Sequence, residues 1–342
     1  MGKTNYILNN DEVLVKLPAW IGAALLCAGF ATPLFAQTAS TGGQAYPERP
    51  IRLIVAYPPG GGTDVTARTM VAKFSEGLGK QVVIDNRPGA GSTIGTDLVA
   101  KATPDGYTLL MSDTTLGIIP GLYPKLPFDA VADFQPVIHM TSVPGALVVH
   151  PSVPAKSLKE LVALARARPG TLNFGSGGVG TPVHMSGELL KLAANIQIVH
   201  VPYKGAGPAF TDLLGGHFQM MFPTLQSAVP HIKSGRLRLL ALTSEKRSTA
   251  FPDTPTMEEA GVPGVVSMGW FGIHAPKAVP RSIIARLHSE GLRAIQDPTI
   301  RQRFETDGAD VVGSTPEQFA KFVVDEIAKW TRVIKQAGIK FE

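Results

Sequence analysis

Short apolar runs and amphipathic segments alternate along the first part of the chain. The runs IRLIVAY, QVVID and YTLLMSD are short and apolar, with β-branched residues in the first two, and they predict strands. Between them, DVTARTMVAKFSEGL and TIGTDLVAKA place apolar residues three and four positions apart, which predicts helices. This β-α-β-α-β order indicates a parallel sheet with helices on its faces and right-handed crossover connections.

The alternation is interrupted once and then resumes. The segment FQPVIHMTSVPGALVVHP contains two β-like runs separated by Pro144 and Gly145. Beyond it, SLKELVALARARPG predicts a helix, because Ser157 and Glu160 have the spacing of a capping box. Further strands are predicted in TLNFGS, IQIVHVP, FQMMFP, LRLLALTS and VVSMGWFGIHAP, and further helices in TPVHMSGELLKLA, PAFTDLLGG, LQSAVPHIKSG, PRSIIARLHSEGLRAIQ, PTIRQRFETDG and PEQFAKFVVDEIAKWTRVIKQAG.

Two successive alternations predict an α/β protein of two lobes, each a mainly parallel sheet flanked by helices. The last helix pattern is long and amphipathic, so its apolar face should dock on the first sheet. The chain would then leave the first lobe near residue 145 and return to it near residue 245. We therefore expect a discontinuous first lobe of residues 46–145 and 245–342, a second lobe of residues 146–244, and a hinge of two crossing segments.

The N-terminal segment, residues 1–36, has the pattern of an export signal. Lys3 and Lys16 precede LPAWIGAALLCAGFATPLFA, which carries no charge, and cleavage is expected after Ala36. A membrane anchor is the alternative, but prolines bound the apolar run and leave it short for a span. A lipoprotein anchored at Cys27 is a further alternative, but the leucine before this cysteine is too large for a lipobox. The sequence thus predicts a periplasmic protein from which the signal has been removed.

Composition narrows the chemistry further. Apolar residues make up 44% and charged residues 17% of the chain, which is enough for a substantial core. The net charge of +5 comes without a long basic run, so nucleic acid is not an expected partner. Cys27 is the only cysteine, so the mature chain would have no disulfide, thiol nucleophile or cysteine-bound metal.

Three predicted strand-to-helix turns are rich in glycine: YPPGGGT, DNRPGAGST and GSGGVGTPVH. Thr63 or Asp64 is expected to cap the helix after the first turn, and Thr181 with Pro182 at the next position should begin the helix after the third. Ligands of open parallel sheets bind beyond the carboxyl ends of the strands, where helix N-termini present unpaired N–H groups and a partial positive charge. Glycines would let an anionic group approach these N–H groups closely. The alternative is that the glycines serve only turn geometry or helix–strand packing.

Other chemistry has weaker support in the sequence. GSGGVG matches the G-x-G-x-x-G pattern of dinucleotide-binding proteins, but the acidic residue expected about 20 positions later is absent, so no cofactor is predicted. The histidines lack metal-ligand spacing, and no G-x-S-x-G nucleophile motif occurs. Ser176 with His184 is the one candidate nucleophile–base pair. We expect neither catalytic nor metal-binding residues, and a protein that is not an enzyme.

At this point the chain resembles the Bug family, the extracytoplasmic solute-binding proteins of tripartite tricarboxylate transporters. The resemblance lies in YPERPIRLIVAYPPGGGTDVTAR, VVIDNRPGAGSTIGTDLVAKATPDGYTLLMSD, NFGSGGVGTPVHMSGELLK and VHVPYKGAGPAFTDLLGG, and it runs from about Tyr46 to the C-terminus. It implies the type II periplasmic-binding-protein fold. It also implies that backbone N–H groups, small hydroxyls and bridging waters hold the ligand's carboxylate in the cleft, without a salt bridge.

The resemblance also implies which residues line the cleft. Trp270 and Phe271 fall where the family often has a tryptophan near it, whereas Tyr57 and the Pro223-Thr224 pair depart from many relatives and leave the ligand open. Capping for Asp64, burial in the core for Tyr203 and a solvated side chain for Lys204 are the alternatives to ligand binding. The implied residues are Tyr57, Gly61, Gly62, Thr63, Asp64, Ser112 and Asp113 in the first lobe, and Ser176, Gly177, Gly178, Gly180, Thr181, His184, Tyr203, Lys204 and Thr224 in the second.

The expected function is that of a monomeric periplasmic binding protein. It would capture a dicarboxylate, an amino acid or an aromatic acid and deliver it to membrane permease subunits. Two alternatives stay open at this level. One is an exported hydrolase with its active site in the same cleft, and the other is a ligand sensor for a membrane receptor.

Overall fold

The computed structural model describes residues 46–339 of the chain. The predicted export signal, with Cys27 and the cleavage point after Ala36, lies outside the described residues. Residues 46–339 form two β-sheets flanked by helices, in a two-lobed arrangement. None of the helices in this range is both long enough and apolar enough to cross a membrane.

The described residues form eleven strands and ten α-helices, with a short 3₁₀ helix at Ala90–Ser92. The strands are β1 (Ile51–Val55), β2 (Val82–Asn86), β3 (Thr108–Asp113), β4 (Phe134–Pro144), β5 (Ala146–Val149), β6 (Asn173–Ser176), β7 (Val199–Pro202), β8 (Met220–Met221), β9 (Arg238–Leu242), β10 (Met268–Pro276) and β11 (Asp310–Val311). The helices are α1 (Gly62–Leu78), α2 (Thr93–Ala100), α3 (Thr115–Leu122), α4 (Leu158–Ala167), α5 (Pro182–Ala194), α6 (Ala206–Leu214), α7 (Leu225–Lys233), α8 (Arg281–Gln296), α9 (Pro298–Thr306) and α10 (Pro316–Ala337).

Both sheets contain a parallel part and an antiparallel part. The first sheet has the strand order β11-β4-β10-β3-β1-β2 and the second has the order β7-β6-β8-β5-β9. Strand β1 pairs in parallel with β2 and β3, and β6 with β7 and β8, as the alternation predicts. The prediction of mainly parallel sheets is wrong in the remaining pairs, because β10 runs antiparallel to β3 and β4, and β5 antiparallel to β8 and β9.

Strand β1 shows why the parallel strands are almost continuously apolar. Leu53 and Val55 pack with Phe74 of α1 on one face of the sheet, whereas Ile54 packs with Phe319 of α10 on the other. All five of these side chains are buried. A strand covered by helices on both faces has no solvent-facing position in its centre, so the alternation of polar residues disappears.

Helix α10 docks on the first sheet, as its amphipathic pattern predicts. It packs against β4 and α3, and its N-terminus carries a capping box formed by Thr315 and Gln318. Near its middle, the Glu326 carboxylate accepts hydrogen bonds from the indole N–H groups of Trp270 on β10 (3.3 Å) and Trp330 (2.9 Å). These bonds tie the helix to a central strand of the sheet.

The chain crosses between the sheets twice, and the two crossing segments are hydrogen-bonded to each other. Gly145 alone separates β4 from β5, and the return segment between β9 and β10 begins at Thr243. The Thr243 hydroxyl donates to the Ser267 carbonyl (2.5 Å), and Thr243 and Gly145 exchange backbone and side-chain hydrogen bonds of 2.9 Å. The predicted lobe boundaries near residues 145 and 245 depend on these two crossings.

Candidate ligand pocket between the sheets

A small pocket of about 70 Å³ lies where strands β1, β3, β6 and β8 end and helices begin. Its wall is shared by both sheets and by the crossing segments. The polar lining residues are Tyr57, Thr63, Asp113, Thr114, Thr181, Ser186, Thr224, Ser227 and Ser267. The remaining lining residues are Gly61, Gly62, Gly145, Gly177, Pro182, Val183, Ala206, Phe222, Pro223, Gly269 and Phe271.

Five helices begin at this pocket. The N-cap residues of α1, α3, α5 and α7 line it, and so does the first residue of α6; these are Gly61, Thr114, Thr181, Thr224 and Ala206. The first N–H groups of a helix lack partners within the helix and carry a partial positive charge. Among the described residues, no lysine, arginine or histidine lines the pocket. The backbone N–H groups are therefore the source of positive potential at the pocket, and at α3 the Asp113 carboxylate already accepts from one of them, the Thr115 N–H.

Helix α5 begins as the sequence predicts. Thr181 is its N-cap, the Thr181 hydroxyl accepts a hydrogen bond from the His184 N–H (3.4 Å), and Pro182 occupies the first helical position. Proline has no N–H and its fixed φ suits this position. The Val183 N–H is consequently the first free donor of this helix, and Val183 lines the pocket.

Helix α1 begins differently from the prediction. The expected side-chain cap by Thr63 or Asp64 is wrong, because Gly61 is the N-cap and no side chain caps it. Asp64 lies in the first turn, is buried behind the pocket, and accepts hydrogen bonds from the Gly60 N–H (3.0 Å) and Arg68 Nε (2.8 Å). Burial raises the pKa of this carboxyl, but these hydrogen bonds outweigh it and lower the pKa overall. Asp64 thus shapes the glycine turn and does not line the pocket.

Asp113 is the only acidic residue among the described residues that line the pocket. Its Oδ1 accepts a hydrogen bond from the Thr115 N–H (2.9 Å) and lies 3.3 Å from the Tyr57 hydroxyl. Its Oδ2 accepts from the Thr63 hydroxyl (2.6 Å). Burial raises the pKa of Asp113, and the hydrogen bonds from Thr63 and Thr115 oppose this shift. Burial, with the Asp113 charge, also raises the pKa of Tyr57 well above its ordinary value.

Two glycines of the pocket lie where neighbouring segments approach closely: Gly62 against Thr224 of the other lobe, and Gly177 against Ala206 within the second lobe. A Cβ on Gly62 would lie 2.5 Å from Thr224 Oγ1 and 2.9 Å from Phe271 Cζ. A Cβ on Gly177 would lie 2.9 Å from the Ala206 nitrogen. Real Cβ atoms do not come so close to other heavy atoms, so a side chain at Gly62 would displace Thr224 and Phe271, and one at Gly177 would displace the backbone at the start of α6. This is the packing explanation for the glycines, and it brings the helix N-termini together.

Ser112 and Trp270 are implied cleft residues that face away from the pocket. The Ser112 hydroxyl is buried behind it, 3.0 Å from the Gly272 carbonyl and 2.7 Å from His274 Nδ1. Trp270 packs toward α10, whereas the next residue, Phe271, lines the pocket. Successive side chains of a strand point to opposite faces of the sheet, so only one of two neighbours reaches the pocket.

Ser176 does not pair with His184, so the structure does not form the candidate nucleophile–base pair that the hydrolase alternative would need. Its hydroxyl lies 2.6 Å from His200 Nε2, while His184 Nδ1 accepts from the Gly180 N–H (3.3 Å). The two imidazole rings are stacked with centroids 4.1 Å apart. Burial lowers the pKa of His184 to about 4 and that of His200 to about 3. Ser176 is fully buried, and neither it, Gly178, Gly180 nor His184 lines the pocket.

A second, larger groove of about 690 Å³ adjoins the pocket and shares Tyr57 and Gly177 with it. Tyr203 and Lys204 line this groove and not the pocket. The Tyr203 hydroxyl donates to Asp212 Oδ2 (2.7 Å). The glycine-rich turn DNRPGAGST also lines the groove, through Pro88, Gly89, Ala90, Gly91 and Ser92.

Sequence analysis missed several pocket residues. Thr114 and Ala206 belong to helix starts that carry no glycine-rich signature of their own. Ser186 and Ser227 lie in or after the first turns of α5 and α7. The sequence could have pointed to them only through the residues expected at those helix starts, namely Thr181 as a cap and Thr224 as an implied cleft residue. The crossing residues Gly145 and Ser267 reach the pocket only because the sheets meet there. No group of three or more His, Cys, Asp or Glu in residues 46–339 has a metal-binding arrangement.

Comparison with known proteins identifies a family model and several proteins that are similar to this chain. A model of the family described as the tripartite tricarboxylate transporter family receptor matches residues 66–339. Protein BugT of Bordetella pertussis (strain Tohama I) is 40% identical over 331 residues, covering 96% of this chain and 99% of BugT. The solved structure of the periplasmic binding protein BugD is 32% identical, with a TM-score of 0.84, and covers 87% of this chain and 100% of BugD. R. palustris Rpa4515, solved with adipate, is 35% identical with a TM-score of 0.84 and covers 86% of this chain and 99% of its own. These structures confirm the predicted two-lobed periplasmic-binding-protein fold.

Proposed function

Because the chain belongs to the family of tripartite tricarboxylate transporter receptors, which includes the Bug proteins, we propose that it captures a small carboxylate in the pocket between its sheets. It acts in the periplasm as a monomer and delivers the ligand to the permease subunits of a tripartite transporter. The relative Rpa4515 was solved with adipate, a carboxylate, which supports this ligand class.

The convergence of five helix N-termini on one pocket is the observation that carries the proposal. Each helix end stabilises a nearby negative charge by about 0.3–1 kcal/mol. Because Asp113 already accepts from the start of α3, the other four ends would contribute roughly 1–4 kcal/mol to a bound carboxylate. Micromolar affinity corresponds to about 8 kcal/mol of binding free energy. The remainder would come from direct hydrogen bonds between N–H groups or hydroxyls and the carboxylate, each worth about 1.5–3 kcal/mol.

Both lobes supply these donors. Helices α1 and α3 follow strands of the first sheet, whereas α5, α6 and α7 follow strands of the second. A ligand that contacts both sets binds the closed arrangement more tightly than an open one, so binding favours closure. A closed, loaded form is what a permease would recognise.

The protein binds its ligand without catalysis. A hydrolase in this cleft would need a nucleophile with access to the ligand and a base beside it. Ser112 and Ser176 each have a histidine at hydrogen-bond distance near the pocket, and both are buried and outside the lining. The Tyr57 hydroxyl lies 3.3 Å from the Asp113 carboxylate, but the pKa of Tyr57 is raised well above its ordinary value, so the hydroxyl stays protonated and is a poor nucleophile.

A thermal-shift screen followed by calorimetry tests the proposal. The panel contains dicarboxylates, amino acids and aromatic acids, each with its uncharged amide as the matched control. At a concentration 100 times the Kd, a true ligand stabilises the protein by about 2.7 kcal/mol, and its amide should have little effect. Equal binding of an acid and its amide would contradict the proposal, as would the absence of any carboxylate ligand.

Delivery to a permease needs a separate test. The loaded and the empty protein should be compared for capture of membrane proteins from the cell that produces it. Selective capture of transporter permease subunits by the loaded form supports the proposal. Capture of a receptor kinase in their place would favour a role in sensing.

A further inference from the structure

We propose that Asp113 selects a ligand carrying a protonated amine beside its carboxylate, so that the preferred class is an amino acid or a similar zwitterion. A dicarboxylate would then be a poorer ligand. This inference rests on the proposed function, because it concerns the same pocket. It names the chemistry that distinguishes this pocket from one that receives only anionic groups.

The charge inside the pocket supports a zwitterion. Asp113 is buried, and no cationic side chain of the described residues lines the pocket to neutralise it. Helix N-termini attract one carboxylate, which in so small a pocket would lie near the Asp113 carboxylate with no positive group between them unless the ligand brings one. Like charges repel strongly when water is excluded, and opposite charges attract for the same reason. An ammonium group beside the ligand carboxylate would therefore complement both halves of the lining.

Asp113 also has acceptor capacity to spare. A carboxylate offers about four acceptor positions, two on each oxygen. In the described part of the chain, Oδ1 faces the Thr115 N–H and the Tyr57 hydroxyl, whereas Oδ2 has one donor, the Thr63 hydroxyl. A position on Oδ2 is thus available to a ligand donor. An ammonium group brings three donors, whereas an ionised carboxylate brings none.

The size of the pocket fits an amino-acid head group. A single water needs roughly 10–15 Å³ of such space, so a pocket of about 70 Å³ accommodates about five non-hydrogen atoms. An amine nitrogen, one carbon and a carboxylate group make up five such atoms. The side chain of a larger ligand would have to extend past Tyr57 and Gly177, which separate the pocket from the adjoining groove.

The test compares matched ligands that differ only in the amine. Calorimetry on the full chain would use alanine against propionate and glutamate against glutarate, with succinate and adipate as further dicarboxylates. We expect the wild-type protein to bind at least one amino acid about tenfold or more tightly than its deaminated partner. Tighter binding of the deaminated acid or of a dicarboxylate would overturn the inference, and this comparison requires no variant.

Asp113→Asn then tests whether this residue causes the preference. Asparagine keeps an oxygen that can accept from the Thr115 N–H but removes the charge. The preference for the amino acid should fall to about threefold or less in Asp113→Asn. The control Asp325→Asn removes an exposed charge on α10, outside the pocket lining, and should leave the preference unchanged.

Three failures can be told apart. If Asp113→Asn retains the full preference for the amine, the assignment to Asp113 is wrong. If carboxylates bind without regard to the amine, the inference fails while the proposed function stands. If no carboxylate of any class binds, the proposed function fails and this inference fails with it.

Discussion

At the residue scale, the pocket depends on positions where a side chain would keep the lobes apart. Gly62 is the clearest of these, because Thr224 and Phe271 occupy the space that its Cβ would need. Gly61, one residue earlier, has a Cβ position 3.4 Å from the Ala206 Cβ, which is an ordinary contact. An added methyl group would therefore clash at Gly62 but not at the adjacent Gly61. Substitutions at these two glycines form a test variant and its matched control.

Gly62→Ala should weaken ligand binding by tenfold or more, because the added methyl group would hold Thr224 and the start of α7 away from α1. Tenfold corresponds to about 1.4 kcal/mol. Gly61→Ala should change the affinity by less than about threefold. Calorimetry with the carboxylate identified in the screen measures both, and equal losses in the two variants would contradict the steric explanation.

The sequence could identify pocket residues only where local chemistry marks them. Thr181 was accessible because it precedes a helix pattern, whereas Thr224 came only from the family resemblance; both are N-caps at the pocket. Ser112 and Asp113 end the same strand, yet only Asp113 lines the pocket. Which of two neighbours faces a pocket depends on the rotation of the strand within the sheet, and that is set by long-range pairing.

At the element scale, nearly every strand and helix with a clear hydrophobic period was predicted, and α3 is the informative exception. Its sequence, TLGIIPGL, has two glycines, an internal proline and no polar face. Intrinsic propensity disfavours a helix in such a segment. It forms one because Ile118, Ile119 and Leu122 are buried by neighbouring helices, so tertiary packing overrides the local preference. The antiparallel direction of β10 could not be predicted from the sequence either, because β10 follows a long return segment.

The attachment of α10 provides a prediction at this scale. Glu326→Ala should lower the free energy of unfolding by about 2–4 kcal/mol, because the indole N–H groups of Trp270 and Trp330 would lose their buried acceptor. The adjacent substitution Asp325→Ala is the control. It removes only an exposed ion pair with Lys321 and should cost less than about 1 kcal/mol. Urea unfolding measures both, and a similar small effect in the two variants would show that the indole bonds contribute little.

At the scale of the whole molecule, four histidines make stability depend on pH; His139, His184 and His274 are buried and His200 is half-buried. Burial lowers the pKa of each below its ordinary value of 6.5: to about 4 for His139 and His184, and to about 3 for His200 and His274. The unfolded chain therefore binds more protons than the folded one below about pH 6.5. The contribution of these histidines to the free energy of unfolding is fully present above that pH. It is lost progressively as the pH falls toward 4 and 3.

We expect the free energy of unfolding to fall by about 1 kcal/mol per pH unit for each of these histidines between pH 6 and 4. The raised pKa of Asp113 acts in the opposite sense and will offset part of the decline. Urea unfolding at several pH values measures the slope. His184→Gln should make it shallower by about one histidine's share, and a wild-type stability that stays flat from pH 6.5 to 4.5 would rule out the account.

The two indole groups tied to Glu326 also decide how ligand binding can be observed. Trp270 and Trp330 are the tryptophans of residues 46–339, both are buried, and neither lines the pocket. Their fluorescence emission reports the attachment of α10 and responds weakly to an occupied pocket. A spectroscopic reporter of occupancy would have to be introduced, and Phe271, an aromatic residue already at the pocket wall, is the position where an engineered indole would sense it.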